Sequence, residues 1–192
     1  MSKGKRNFII VIAILVILIV SFYSFLKGSY NSFVSMDESV KASWAQVENQ
    51  LQRRYDLIPN LVETVKGFAA QEKEVFIGVT EARSKVGTAA SIPQKIEANK
   101  ELTGALSRLM VVMERYPEIK SNQNFLRLQD ELAGTENRIA VERRRYNETV
   151  KDYNVKIRIF PSNILAGLFG FEKATFFEIP EAAKIVPKVS FK

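Results

Sequence analysis

The chain contains no histidine and no cysteine among its 192 residues. Without cysteine there is no disulfide, no thiolate nucleophile and no Cys-ligated zinc, and no lipid can be attached through an N-terminal cysteine. Without histidine the commonest metal ligand is gone, along with the side chain that titrates near neutrality. The di-iron site of helical bundles needs Glu-x-x-His pairs and cannot be assembled here. A Ser-His-Asp triad is likewise excluded. Ser84 and Lys85 are adjacent, so on a helix they diverge by about 100° and cannot act as a Ser-Lys dyad. The sequence has no G-x-x-x-x-G-K-[ST] or G-x-G-x-x-G phosphate loop. A cysteine-free chain also suits an oxidising compartment.

A concentrated basic face is missing too. Of the net charge of +7, Lys3, Lys5 and Arg6 account for three, leaving four for the rest of the chain. Beyond residue 26, Lys and Arg are interleaved with Glu and Asp, unlike a nucleic-acid-binding surface. No nucleic-acid partner, small-molecule substrate or cofactor is expected, and no enzymatic activity. Glu63, Glu72, Glu74 and Glu136 are the remaining material for an all-carboxylate cation site, but exposed helix-surface glutamates account for them better.

What the sequence does have is one long uncharged run. Phe8 to Leu26 reads FIIVIAILVILIVSFYSFL, 19 residues without a charge. As a helix it spans about 28 Å, close to the hydrocarbon thickness of a bilayer. Phe8, Ile12, Leu15, Ile19, Phe22 and Leu26 are taken as its membrane-anchoring residues, behind a basic tail at residues 1–7. Phe22, Tyr23 and Phe25 cluster at one end, where aromatic side chains favour the interface. A buried core helix seldom has so long an apolar run. An interfacial helix would need a polar face. A cleaved signal peptide is the rival, but no A-x-A-like cleavage site follows. The basic tail places the N-terminus in the cytoplasm by the positive-inside rule, with the remaining domain extracytoplasmic.

Residues 30–160 read as helical throughout. Apolar side chains recur at steps mostly of three or four in Val40, Trp44, Val47, Leu51, Ile58, Leu61 and Val65, marking one stripe. Pro59 need only kink it, and Gly67 is the first plausible break. A second stripe runs through Val75, Val79, Ala82 and Val86. Pro93 then suits the first turn of a third helix, with Ile96, Leu102, Leu106, Leu109, Met113 and Tyr116 on its stripe and Pro117 at its end. Ser121 is a candidate cap for a fourth helix carrying Phe125, Leu128, Leu132, Ile139, Tyr146, Val150, Tyr153 and Ile157, stopped by Pro161. The expected fold is all-α: an N-terminal transmembrane helix followed by an elongated antiparallel bundle of four helices. A three-helix version keeps residues 30–87 as one helix. Residues 161–171, PSNILAGLFGF, form a short apolar segment that either dips into the membrane interface or folds back to cap the bundle. Residues 172–192 are expected to be an extended tail.

Four stretches, WAQVENQLQRRYDLIPNLVETVKGFAAQEKEVF (Trp44 to Phe76), TEARSKV (Thr80 to Val86), Ala105 to Asn154, and FPSNILAGLFGF (Phe160 to Phe171), resemble in order and spacing those of the LemA family. The resemblance covers about residues 30–172. It implies an N-terminal transmembrane helix and a helical bundle in bacterial membranes, with no established activity and no catalytic residues. A magnetosome-membrane relative extends the implication to membrane organisation. Arg143-Arg144-Arg145 is more basic than the family pattern before Tyr146-Asn147.

Two clusters of charge invite a structural expectation. If helices one and four are antiparallel, residues facing each other have numbers totalling about 190, which sets Arg54 beside Glu136 as a register-fixing salt bridge. Arg143, Arg144 and Arg145 are candidate contacts for anionic headgroups or a partner, as are the apolar Leu168 and Phe169. The expected role is a membrane-anchored interaction or scaffold module whose partners are the lipid bilayer and either other proteins or itself. The alternative is a regulatory adaptor or sensor for a membrane enzyme such as an envelope protease.

Overall fold

The computed structural model describes residues 3–178, whose regular elements are all helices. Helix α1 runs Lys3–Lys66, α2 Lys73–Thr88, α3 Ile92–Met113, α4 Gln123–Lys156 and α5 Ser162–Phe169, with a short 3-10 turn at Ile119–Ser121 before α4. The fold class is therefore all-α, with an apolar N-terminal helix and helix pairing of the bundle type. Within the described residues the chain divides into two compact units: residues 3–42 with 148–174, and residues 43–147 with 175–178.

No helix boundary follows the apolar run. A basic tail, a transmembrane helix and a separate first bundle helix were expected, yet α1 is a single helix of 64 residues. Gly28 is the one weak helix former at the expected junction, and an interior glycine costs only about 1 kcal/mol relative to alanine. The break does fall at Gly67, so α2 is separate and the bundle takes its four-helix form. Ser91 caps α3 with a reciprocal capping box: Gln94 N–H donates to Ser91 Oγ and Ser91 N–H donates to Gln94 Oε1. Pro93 occupies the first turn.

One correction concerns α4. Its cap is Asn122, not Ser121: Asn122 Oδ1 accepts from the backbone N–H groups of Asn124 and Phe125, both at 3.0 Å. The helix ends at Lys156, ahead of Pro161. Phe160 precedes a proline and is disfavoured in helical conformation, and Pro161 instead opens α5. The described part of the expected tail, residues 172–178, is irregular. Residues 1–2 of the expected basic tail and 179–192 of the expected C-terminal tail lie outside the described residues.

In the second unit the core gathers Ile58, Leu61, Val65, Phe76, Val79, Leu102, Leu106, Leu109, Ile119 and Phe125. α2 and α3 pack against each other. The antiparallel pairing of α1 and α4 is visible in this unit: Trp44 stacks edge-on against Tyr146 with ring centroids 5.3 Å apart, and Arg54 bonds Glu136. In the first unit the buried set is Phe33, Val40, Val150, Tyr153, Ile157, Leu165 and Ala166.

Candidate functional site

Three places carry the chemistry, one of them apolar. Every residue from Phe8 to Phe25 is exposed and Leu26 is half-buried. Phe8, Ile12, Leu15, Ile19 and Phe22 thus present bare apolar surface on all sides of α1, with no protein layer over it. A helix that is hydrophobic all round is stable only when something apolar surrounds it. α1 is the one helix among the described residues long and apolar enough to cross a membrane.

The second place is a buried cation. Arg54 is 2% exposed, and its guanidinium is held by three residues from two other helices. Nη1 donates to Glu136 Oε2 at 2.9 Å and to Thr103 Oγ1 at 3.0 Å. Nη2 donates to Asn99 Oδ1 at 2.7 Å and more weakly to Asn99 O at 3.4 Å. α3 pre-orients its two partners. Asn99 Nδ2 donates to Lys95 O, which turns Oδ1 towards the arginine. Thr103 Oγ1 donates to Asn99 O, leaving its lone pairs for Nη1. Burial pulls the Arg54 pKa down and the Glu136 carboxylate partly opposes this, but arginine remains charged in proteins. Arg54 thus ties α1 to α3 and α4 through one head group.

The third place was not foreseen in the sequence. The irregular segment after α5 is gripped by asparagines of α4. In the first unit Asn154 Nδ2 donates to Ala174 O and Ala174 N–H donates to Asn154 Oδ1, both at 2.9 Å. In the second unit Asn147 Nδ2 donates to Phe177 O at 2.9 Å and Phe177 N–H donates to Asn147 Oδ1 at 2.8 Å. Tyr146 Oη donates to Thr175 O at 2.7 Å, and burial pushes the Tyr146 pKa up. The signal was present as a repeated Tyr-Asn, Tyr146-Asn147 and Tyr153-Asn154.

The remaining candidates are scattered. Arg143 lies over the Phe177 ring at 5.8 Å and Arg145 bonds Glu142 at 2.9 Å, while Arg144 is exposed. Leu168 and Phe169 are exposed on α5. The four glutamates weighed as a cation site do not converge. Glu63 pairs with Lys66, Glu72 accepts from Tyr116 and Arg115, Glu136 serves Arg54, and Glu74 lines a different groove. That groove, between α2 and α3, has a volume of about 670 Å³. It is open and of mixed charge, with Lys85 and Glu101 bonded across it at 2.6 Å.

Comparison with known proteins matches residues 43–191 to the LemA family. Magnetosome protein MamQ 2 of Paramagnetospirillum magneticum is 31% identical, over 93% of this chain and 74% of that protein. Magnetosome protein MamQ of Magnetospirillum gryphiswaldense is also 31% identical, over 91% and 74%. Protein LemA of Metamycoplasma hominis is 22% identical, over 85% and 75%. None of these names states an enzymatic activity.

Proposed function

The chain belongs to the LemA family, and from that premise we propose that it is a non-enzymatic, single-pass membrane protein whose helical domain is an anchored interaction and scaffold module of the bacterial envelope. Its residues 8–26 cross the cytoplasmic membrane. The basic N-terminus stays in the cytoplasm and the helical domain lies outside it. Its partners are the lipid bilayer and either other envelope proteins or further copies of the chain.

The observation that carries this reading is the bare apolar surface from Phe8 to Phe25. Burying one such side chain is worth about 1.5–3 kcal/mol. Eighteen consecutive exposed residues, all but Ala13, Ser21 and Ser24 of this kind, would be untenable in water. The missing nucleophile-base pairs and the commitment of both terminal nitrogens of Arg54 to Asn99, Thr103 and Glu136 favour a structural role over a chemical one.

The test is carbonate extraction of native membranes followed by protease treatment of spheroplasts. The full-length protein should stay in the membrane pellet, and external protease should digest the domain. Release by carbonate would end the anchor reading, and protection in intact spheroplasts with digestion after lysis would reverse the orientation. Crosslinking in intact membranes separates the scaffold from a dedicated adaptor: self-contacts support the scaffold, and one dominant heterologous client replaces it with the adaptor.

A further inference from the structure

We propose that α5 is a second membrane contact: its apolar face, Ile164 and Leu168 with the preceding Phe160, lies in the headgroup boundary of the bilayer that α1 crosses. The inference rests on the anchor reading above and adds to it a surface outside the span.

The sequence from Ile159 to Phe171 contains 13 residues and no charge. α5 splits these residues into two faces. Ser162, Leu165 and Ala166 are buried. Ile164 and Leu168 are four residues apart on the other face, 61% and 74% exposed, and Phe160 is 80% exposed. An isolated helix of eight residues is marginal in water, so α5 owes its existence to its buried face and its C-cap. Gly170 has φ +74°, a left-handed conformation that glycine accepts without strain. This reversal lets Phe171 N–H donate to Ala166 O at 2.9 Å and turns the Phe171 ring back onto α1.

The depth of α5 follows from those ring contacts, all within the first unit. Phe169 packs against Tyr30 with centroids 5.0 Å apart, and Phe171 packs against Tyr30 at 5.9 Å and Phe33 at 5.3 Å. Tyr30 is four residues beyond Leu26, the end of the uncharged run, so it sits about 6 Å further along the same helix axis. A bilayer's interfacial zone extends about 5–8 Å beyond the hydrocarbon on each side. α5 is therefore fastened to α1 at headgroup depth, where an exposed apolar face meets lipid before any soluble partner can reach it. The flanks fit that position: Arg158 precedes the uncharged stretch and Glu172-Lys173 follows it, all three exposed. Long basic side chains there can reach the phosphates while the rings stay below.

The absence of cysteine makes the test clean, because every introduced cysteine is unique. Nitroxide labels at Ile164→Cys and Leu168→Cys are compared with Leu15→Cys in the span and Lys151→Cys on the exposed side of α4. Each full-length variant is reconstituted into phosphatidylcholine–phosphatidylglycerol vesicles. Collision with oxygen, which partitions into lipid, is measured against collision with a water-soluble nickel chelate. Positions 164 and 168 should show an oxygen-to-nickel ratio several-fold above position 151 and below position 15. If position 15 reads as lipid while 164 and 168 match position 151, the second contact is refuted and the anchor stands. If position 15 itself reads as aqueous, the anchor fails and takes the second contact with it. Poor access of both reagents to 164 and 168 would mean a protein covers α5, and overturns the proposal.

Discussion

The two ends of α1 are built from the same kinds of residue and meet opposite fates. From Phe8 to Phe25 nearly every position is apolar and nothing is buried. From Val40 to Val65 apolar residues are set among polar ones in a stripe, and Val40, Trp44, Val47, Leu51, Ile58, Leu61, Val62 and Val65 are all buried. Burial thus tracks the pattern of apolar residues and not their density. A stripe leaves polar faces for water and needs one protein partner. A coat leaves no face for water and needs an apolar solvent. The same backbone helix serves both ends, so the side chains alone assign each part to its medium.

The largest expected effect comes from charging the coat. Leu15→Arg with Ile19→Arg places two guanidinium groups near the middle of the run, at about 2.5–3.5 kcal/mol each on insertion scales. Full-length protein should move from the membrane to the soluble or degraded fraction. Leu15→Ala with Ile19→Ala should leave it in place, and equal losses from both pairs would show that more than hydrophobicity is being read.

Next in size is the one polar group on the buried side of the stripe. Arg54→Ala should destabilise detergent-solubilised full-length protein by about 3–5 kcal/mol in urea unfolding, because it leaves buried Asn99 and the Glu136 carboxylate without their cation. Glu136→Ala should cost only about 1 kcal/mol, since the Glu136 side chain is 53% exposed and Arg54 keeps Asn99 and Thr103. The double charge reversal should restore little. Position 54 is lined by the Asn99 oxygens, which suit a cation and not a carboxylate. Similar costs for the two alanine variants would show that burial does not set the energy of this pair.

The smallest effect belongs to Tyr146. Tyr146→Phe removes its hydrogen bond to Thr175 O and should cost about 1 kcal/mol at neutral pH. Its pKa is raised in the folded state, so the unfolded chain ionises first. That contribution to stability is complete below about pH 10 and is lost as pH rises from there through the folded pKa. The Phe variant should lose less stability than the parent on titration through that range. Parallel alkaline profiles for the two proteins would argue against a buried phenol.

These contrasts mark what can be read from a sequence like this one. The stripes were legible because a period of three to four residues survives any detail of packing, and the pairing of Arg54 with Glu136 follows from antiparallel arithmetic once two long helices are recognised. The continuity of α1 through Gly28 was not legible, because the same letters fit a hinge or a helix and only neighbouring structure decides. The choice of Asn122 over Ser121 turned on one residue of register, where both side chains are competent caps. Phe76 is buried while Val75 beside it is only half-buried, a choice between adjacent apolar positions that periodicity alone does not make. The grips of Asn147 and Asn154 on the C-terminal segment were half hidden: the repeated Tyr-Asn of α4 marks the gripping side, but what it grips is backbone, and no pattern of side chains announces that.

That last feature affects how the protein can change over evolutionary time. A carboxamide that exchanges paired hydrogen bonds with a peptide group recognises the main chain and ignores what hangs from it. Ala174 and its exposed neighbours can therefore drift in identity while the segment stays docked, provided proline does not remove the N–H that Asn154 needs; Phe177 is less free, because its ring is buried against Trp44 and beneath Arg143. The hold on the main chain is spelled out in α4, and away from Phe177 the piece it holds is open to rewriting.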